Sequence, residues 1–365
     1  MVTILYFSLF VMSFDFLSGY TGYLSFGHTI FYGIGAYFVI LVANGQIPML
    51  APTFPFMFSL LLGACVTALI AVAIGLVAFR LSGVYFAMIT LGFAQLIYVF
   101  MSSWEYLSES PDRGVAILGR TSGLKIGVPY VDSLNLEIGV IAGESADLFG
   151  IVTLSPTAAS YYAIGLLVLL CYLILQRIIH SPFGRVMTAI RENEERARAI
   201  GYNTFWYKIS AFAISAFFAG IAGGLFGAFR RSATPTNAFY FFVTGDALIA
   251  AIIGGFGTLA GPFFGVLLVE TVSEFFSTSG AGGGLIPLLR NNLGENLLSV
   301  HIYNDLELNE LLEILIIGRT SLYLGIVFVL IVIFLPGGIV GKARERLGGK
   351  VAKQIGNRLA WTEDD

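Results

Sequence analysis

The sequence predicts an all-α, polytopic integral membrane protein with about eight or nine transmembrane helices, some of them broken at glycine-rich turns. Three observations carry that prediction. Residues are 57% hydrophobic and only 12% charged, where soluble domains carry about 25% charge, and the mean hydropathy is +0.84. Apolar runs at 59–79, 159–175, 209–229 and 322–335 with its flanks have the roughly 18-residue length of membrane-crossing helices. Between the first two apolar stretches lies "SGYTGYLSFGHTIFYGIGAY", Ser18 to Tyr37, in which five glycines interrupt otherwise membrane-like sequence.

In chain order the expected spans are 3–17, 29–43, 56–80, 84–101, 159–179, 205–228, 243–255, 262–276 and 319–336. The first lacks the basic flank and small-residue cleavage site of a secretory signal, so it is expected to be retained. Two polar connections separate the spans. Residues 102–158 hold three Lys/Arg against seven Asp/Glu, and residues 277–318 hold one Arg against five Asp/Glu. By contrast, Arg177, Arg185, Arg191, Arg196, Arg198 and Lys208 crowd the 177–208 region, and six more cations fill the tail after Gly341. Cytoplasmic loops are enriched in Lys/Arg, so the 180–204 loop and the 342–365 tail are expected inside and the two acidic loops outside. Arg230 and Arg231 then fall outside, against the rule, and residues 3–17 enter from outside, as if an upstream span preceded them. The acidic loops read either as solubilising surface or as adaptation to high salt. Residues 1–341 are expected to form a single permease domain.

The chemistry of catalysis is missing from the pattern. His28, His180 and His301 fall in three separate regions, and Cys65 and Cys171 lie inside apolar segments. No HExxH, nucleophile elbow, paired-Cys spacing or GxxxxGK[ST] occurs. The chain is therefore expected not to be an enzyme, to hold no metal or cofactor and to bind no nucleic acid. Its expected surroundings are the lipid bilayer of the cell membrane.

One internal echo stands out: Gly19-Tyr-Thr-Gly22-Tyr-Leu24 recurs as Gly254-Gly-Phe-Gly257-Thr-Leu259. Both follow a run entering from outside and precede one going back. Broken helices at matching positions mark the path in many transporters, so Gly19, Gly22, Gly254 and Gly257 are candidate path or gate residues. Asp15 joins them, because an intramembrane carboxylate costs about 2.5–3.5 kcal/mol on insertion scales and is a functional candidate by default. The alternative is that it is hydrated at the turn or neutralised by His28. Ser25 and His28 are also candidate path or gate residues, although Ser25 is equally placed to N-cap a helix starting at Phe26 or Gly27, with His28 in its first turn. Thr90 and Gln95 are the further path candidates, although Gln95 also reads as interhelical glue. Ala219, Gly220, Gly223, Gly224 and Gly227 form small-xxx-small spacing, a packing feature.

The segment 180–224 discriminates between energy sources. A short charged helix is expected from Arg185 to Ile200, with Gly201 past its end. It reads either as a solvated helix with Glu192–Arg196 and Glu194–Arg198 pairs or as an element that docks in a groove of another protein. Here Glu195-Arg-Ala197-x-x-x-Gly201 matches the spacing of the EAAxxxG coupling motif of ABC importer permeases. The surrounding "SPFGRVMTAIRENEERARAIGYNTFWYKISAFAISAFFAGIAGGLFG" resembles the branched-chain amino-acid permease family, in its LivM-type branch. "GYTGYLSFGHTIFYGIGAY" is similar to that family's GYxGxLSxGHxxFxGxGAY. "GVYFAMITLGFAQ" from Gly83, "GGFGTLAGPFFG" from Gly254 and "FLPGGIVG" from Phe334 match in order and spacing.

The resemblance implies a type II-like ABC importer permease working as a heterodimer with a sister permease. Two cytoplasmic ABC ATPase subunits would consume the ATP, and an extracytoplasmic substrate-binding protein would deliver the cargo. Arg191, Glu192, Glu195, Ala197 and Gly201 would belong to the ATPase-coupling helix. The implied cargo is branched-chain or related amino acids, with urea or a short amide as the alternative. The chain departs from the pattern in its long acidic 277–318 loop and in lacking the usual upstream helix. Outside the family, a gradient-driven secondary transporter is the competing reading. The two differ in an accessible way. Bulky residues at Glu195 or Gly201 are expected to uncouple ATP hydrolysis from uptake in an ABC permease. In a gradient-driven carrier they do little, and ionophores abolish transport instead.

Overall fold

The computed structural model describes residues 1–47, 50, 55–105, 111–117, 156–277, 320–335 and 337–342, together with short strands inside the two long connections. The remainder of both acidic loops, the Ser279–Gly284 linker and the tail beyond Lys342 lie outside the described residues.

Helices dominate, and their bounds follow the apolar runs closely. They are α1 (Val2–Thr21), α2 (Thr29–Ala43), α3 (Phe56–Ala78), α4 (Val84–Ser103), α5 (Pro156–Ile179), α6 (Pro182–Glu192), α7 (Glu194–Ala199), α8 (Thr204–Arg230), α9 (Pro235–Ala238), α10 (Phe241–Gly254), α11 (Gly261–Ser277) and α12 (Thr320–Phe334). Among the described residues, seven segments are long and apolar enough to cross a membrane, and α2 is a shorter apolar helix. The short strands pair as antiparallel hairpins, Leu124–Ile126 with Leu136–Ile138, Ala146–Leu148 with Val152–Leu154, and His301–Tyr303 with Leu306–Glu307.

The longest helix, α8, is the hub, packed against α1, α2 and α3. Its small-residue stripe explains why. A Cβ at Gly227 would stand 2.7 Å from the Ala36 carbonyl oxygen. Gly223 lies against the Tyr32 carbonyl, and Gly35 of α2 lies against Gly220. Within lipid, helices gain little from hydrophobic exclusion and associate through van der Waals packing and interhelical hydrogen bonds, so small residues set how close they come. Thr67 adds such a bond, donating to the carbonyls of Ala64 at 2.7 Å and Ala216 at 3.0 Å, thereby linking α3 to α8. Thr29 opens α2 by donating its N–H to the Thr244 hydroxyl at 3.0 Å and its own hydroxyl to the Ala238 carbonyl at 2.9 Å. At the end of the bundle away from α6 and α7, Val115–Ala116 pairs with Ser232–Ala233, and Asn44 donates to the Ala116 carbonyl at 2.9 Å.

Outward faces of α3, α4, α5 and α12 remain apolar and exposed, as Leu69, Met88, Leu166 and Ile333 illustrate. Those faces suit lipid or a second membrane subunit.

The glycine-rich segment separates α1 from α2 where the expected spans 3–17 and 29–43 leave a gap, but two details need correction. Gly19 lies inside α1, which runs on to Thr21 and ends at Gly22 in left-handed conformation, φ 78°. Ser25 caps nothing: α2 begins at Thr29, and the Ser25 hydroxyl is buried without a hydrogen-bond partner. The chain from Phe26 to His28 forms a turn, with Ile30 N–H bonded to the Gly27 carbonyl, so the first helical turn starts three residues later than capping by Ser25 requires.

Because α2 and α8 touch backbone to backbone, Gly35→Val forces them apart, at a cost of about 1–3 kcal/mol for overpacking. A lowered thermal midpoint of the purified protein in detergent is expected, whereas Gly92→Ala, which meets open space, should leave it unchanged or slightly raised. Equal midpoints for wild type and Gly35→Val would contradict the packing.

Candidate functional site

The two echoing glycine turns meet each other. Gly22 at φ 78° and Gly257 at φ 80° take the same left-handed conformation at equivalent places in the repeat, a region where a Cβ is strained. Their partners close the contact. A Cβ at Gly19 would stand 2.8 Å from the Gly257 Cα and 2.9 Å from its nitrogen, so the backbones of α1 and of the α10–α11 turn touch with no room for a side chain. Asp15, fully buried in α1, accepts the Gly257 N–H through Oδ1 at 2.8 Å, while its Oδ2 has no partner. The α10–α11 turn is closed internally by the Thr258 hydroxyl on the Gly255 carbonyl, 2.6 Å, and by Gly261 N–H on the Thr258 carbonyl, 2.8 Å. Asp15 is thus held by the second turn rather than by His28.

Over this crossing lies the charged connection. Ser181 caps α6, with Pro182 at its first position. The expected single helix from Arg185 to Ile200 is instead two, because Asn193 is extended at φ −162° and ψ 104°. Asn193 then caps α7, accepting the Arg196 N–H at 2.8 Å. The kink takes Glu192 and Arg196 off a common helix, so of the two expected pairs it is Glu194–Arg198 that forms, at 3.1 Å. Arg191, in the last turn of α6, donates Nη1 to the Gly19 carbonyl. That carbonyl is among the last four of α1, which lack partners along their own helix, and a cation there complements the helix dipole. A Cβ on Gly22 would stand 3.2 Å from Arg191 Cγ, and one on Gly257 would stand 3.1 Å from Arg191 Nη1, so one side chain lies over both turns.

Glu194 makes a second attachment that sequence reasoning passed over. Its Oε2 accepts from the Tyr23 hydroxyl at 2.6 Å, and its Oε1 accepts from Lys208 Nζ at 2.7 Å and the Thr204 hydroxyl at 3.0 Å. Lys208 also donates to the Tyr23 hydroxyl at 3.1 Å and lies 4.8 Å from that ring's centre. Burial works against the Glu194 carboxylate, but hydrogen bonds from Lys208 and Tyr23 outweigh it and lower its pKa to about 2. The group therefore stays ionised at physiological pH, and what its ion pair contributes is lost only as pH falls below the ordinary carboxylate range towards that value. The available signal was Lys208 itself, a lone cation in the apolar opening of α8, which calls for a counter-charge.

The other predicted residues separate into groups. Glu192, Glu195 and Gly201 are exposed on the α6–α7 connection, with Gly201 at φ 98° beyond Ile200, whereas Ala197 is buried against α6. Gly254 ends α10 and packs on Gly261. His28 is fully buried among Phe10, Phe14, Phe31 and Phe212, with Nε2 2.8 Å from the Ser215 hydroxyl, which donates to the Ser13 carbonyl. Thr90 is buried in α4 and bonds the Ala87 carbonyl. Gln95, one turn on, is exposed on the outward face of α4 beside Gly92. Among the described residues it bonds no other helix. An apolar cavity of about 390 Å³ lies apart from these groups, between α1, α5 and α11, with Met12, Val168 and Phe263 in its wall.

Asp15→Leu removes the acceptor of the Gly257 N–H and leaves that part-buried donor unpaired, a loss of about 1 kcal/mol. Asp15→Asn retains an acceptor and should lose less. Unfolding of the two variants in detergent checks the order, and equal stability of wild type and Asp15→Leu would rule the bond out as a support.

Comparison with known proteins identifies the family. The family model described as "Branched-chain amino acid transport system / permease component" matches residues 1–281. The high-affinity branched-chain amino acid transport system permease protein LivM of Salmonella typhimurium is 29% identical over 299 residues, 75% of this chain and 66% of the relative. LivM of Escherichia coli is 28% identical over 70% of this chain and 58% of its own length. The chain thus spans less than two thirds of the length of these relatives. A ribose import permease of Bacillus subtilis, RbsC, is 29% identical over 29% of the chain. No solved structure matches. The glycine turns, the charged connection and the apolar helices from α1 to α11 fall within the matched region, with α12 beyond it, and the chain, a multi-pass membrane protein, belongs to the family of branched-chain amino acid transport system permease components.

Proposed function

We propose that this chain is a permease subunit of an ATP-driven importer for branched-chain or related amino acids. It would pair with a sister permease and work with two cytoplasmic ATPase subunits and an external binding protein. One observation supports the reading above the others. The α6–α7 connection carries Glu195-Arg-Ala197-x-x-x-Gly201 with Glu195, Ile200 and Gly201 exposed, while its other face is bonded to α1 and α8. A helix pair that is free on one side and fixed to membrane helices on the other suits the transfer of motion from an ATPase. ATP would be bound and hydrolysed by the partners, and this chain would hold no cofactor of its own.

In this reading α6 and α7, the basic end, lie inside the cell, and the acidic connections lie outside. Residues 1–341 then act as one permease unit. Gln95 supports placing the translocation path, or the sister permease, against the outward face of α4, since a side-chain amide facing lipid would lose its hydrogen bonds. Gly92 beside it keeps that face shallow enough for close approach.

The test is reconstitution of the chain with its partners in proteoliposomes. ATP-dependent uptake of labelled leucine is expected, competed by isoleucine and valine and not by urea. Competition by urea alone would shift the substrate to short amides, and uptake that persists without ATP but collapses with an ionophore would overturn the ATP-driven reading.

A further inference from the structure

We propose that Glu194 is a positioning residue that transmits movement of α7 to α8 and to the α1–α2 turn, acting through Lys208 and Tyr23. The proposal rests on the importer reading above and goes further, naming side chains outside the matched coupling motif as the mechanical link.

Three features of the attachment set it apart from a surface ion pair. The Lys208 side chain is only 6% exposed and that of Glu194 22%, whereas Arg198, the other cation on Glu194, is 68% exposed. An exposed pair of that kind contributes little, but a buried cation that loses its carboxylate is left uncompensated. The carboxylate also accepts from the hydroxyl of Thr204, the first residue of the long helix α8, so it lies at the positive end of that helix's dipole. Lys208 is in turn held from above by the rings of Tyr23 and Phe79, at 4.8 and 5.7 Å.

The kink at Asn193 gives the arrangement its direction. On one side of it, α6 holds the end of α1 through Arg191 and Gly19. On the other, α7 holds the start of α8 and the α1–α2 turn through Glu194. Gly19 and Tyr23 are four residues apart, so both attachments end on the same short segment of chain. Asn193, extended, is the joint between them. A partner that moves α7 relative to α6 therefore strains the 19–23 segment, which also carries the contact with Gly257. Glu192 and Glu195, exposed on either side of Glu194, remain free for the partner surface.

The experiment uses the complete transporter in proteoliposomes and measures ATP hydrolysed per labelled leucine taken up. For Glu194→Gln and Lys208→Met that ratio is expected to rise about tenfold, within the usual range of coupling between sites. The charge-reversed pair, Glu194→Lys with Lys208→Glu, should bring it back to within about threefold of wild type. A residue that only stabilises the fold would lower hydrolysis and uptake together. A ratio within about twofold of wild type in both single variants thus overturns the proposal. Should Glu194→Gln fail to co-purify with its partners, Tyr23→Phe is read instead, since it removes one donor and keeps the ring. A rise of about threefold supports the link and an unchanged ratio overturns it. Leucine uptake by the wild-type complex that needs no ATP would instead remove the importer reading itself, a result distinguishable before any variant is made.

Discussion

Backbone contact between Gly19 and Gly257 is the constraint on which the rest of the structure depends. Two chain reversals, one after α1 and one between α10 and α11, must share a space that admits no side chain at the crossing. Each reversal exposes helix-terminal carbonyls and amides, and near a membrane these need partners within the protein. Asp15 satisfies an amide of the second turn, and Arg191 satisfies a carbonyl of the first. The acceptor comes from the adjoining span and the donor from the charged connection, so the crossing cannot be assembled from the turns alone. It requires α6 in place.

That requirement explains why the connection between α5 and α8 is built as two short helices. A continuous helix over the same residues would put Arg191 and Glu194, three residues apart, on one face only about 60° from each other, and both would travel together. The extended Asn193 changes this, letting Arg191 address the end of α1 while Glu194 addresses the start of α8. Asn suits the joint because its short side chain can bond the following helix, as it does to the Arg196 N–H.

The spans were legible because apolar composition and length respond to the bilayer, and that signal accumulates over some twenty residues. The helix α2 could be read to the residue, and α8 needed only a residue or two at each end. The glycine echo was legible as a pattern, and the shared left-handed conformation of Gly22 and Gly257 gives it a structural meaning. What could not be read was that the two copies touch, since a pattern along the chain carries no distance between its repeats. The kink at Asn193 was missed for a different reason: the charged residues on both sides are good helix formers, and one Asn is a weak interruption on propensity alone. Glu194 was passed over in favour of Glu195 because the motif spacing draws attention to the exposed carboxylate, while the neighbouring one turns inward to a lysine fourteen residues away.

The same contrast, exposed against enclosed, separates the polar groups within the spans. His28 and Thr90 are polar and lie within the spans, yet both are enclosed by the bundle: His28 is bonded to Ser215 through Nε2, with its Nδ1 left unpaired, and Thr90 is bonded to its own helix. Gln95 differs, because its exposure is on an outward face of α4 where this chain offers a surface otherwise made of Met88, Leu91 and Leu96. A membrane helix has little reason to present an amide to hydrocarbon. In the importer reading, enclosed polar groups such as these are weaker path candidates than a polar group on a face that the chain itself leaves open. By that criterion α4 is a stronger candidate for the wall of a path than the histidine in the most glycine-rich stretch of the molecule.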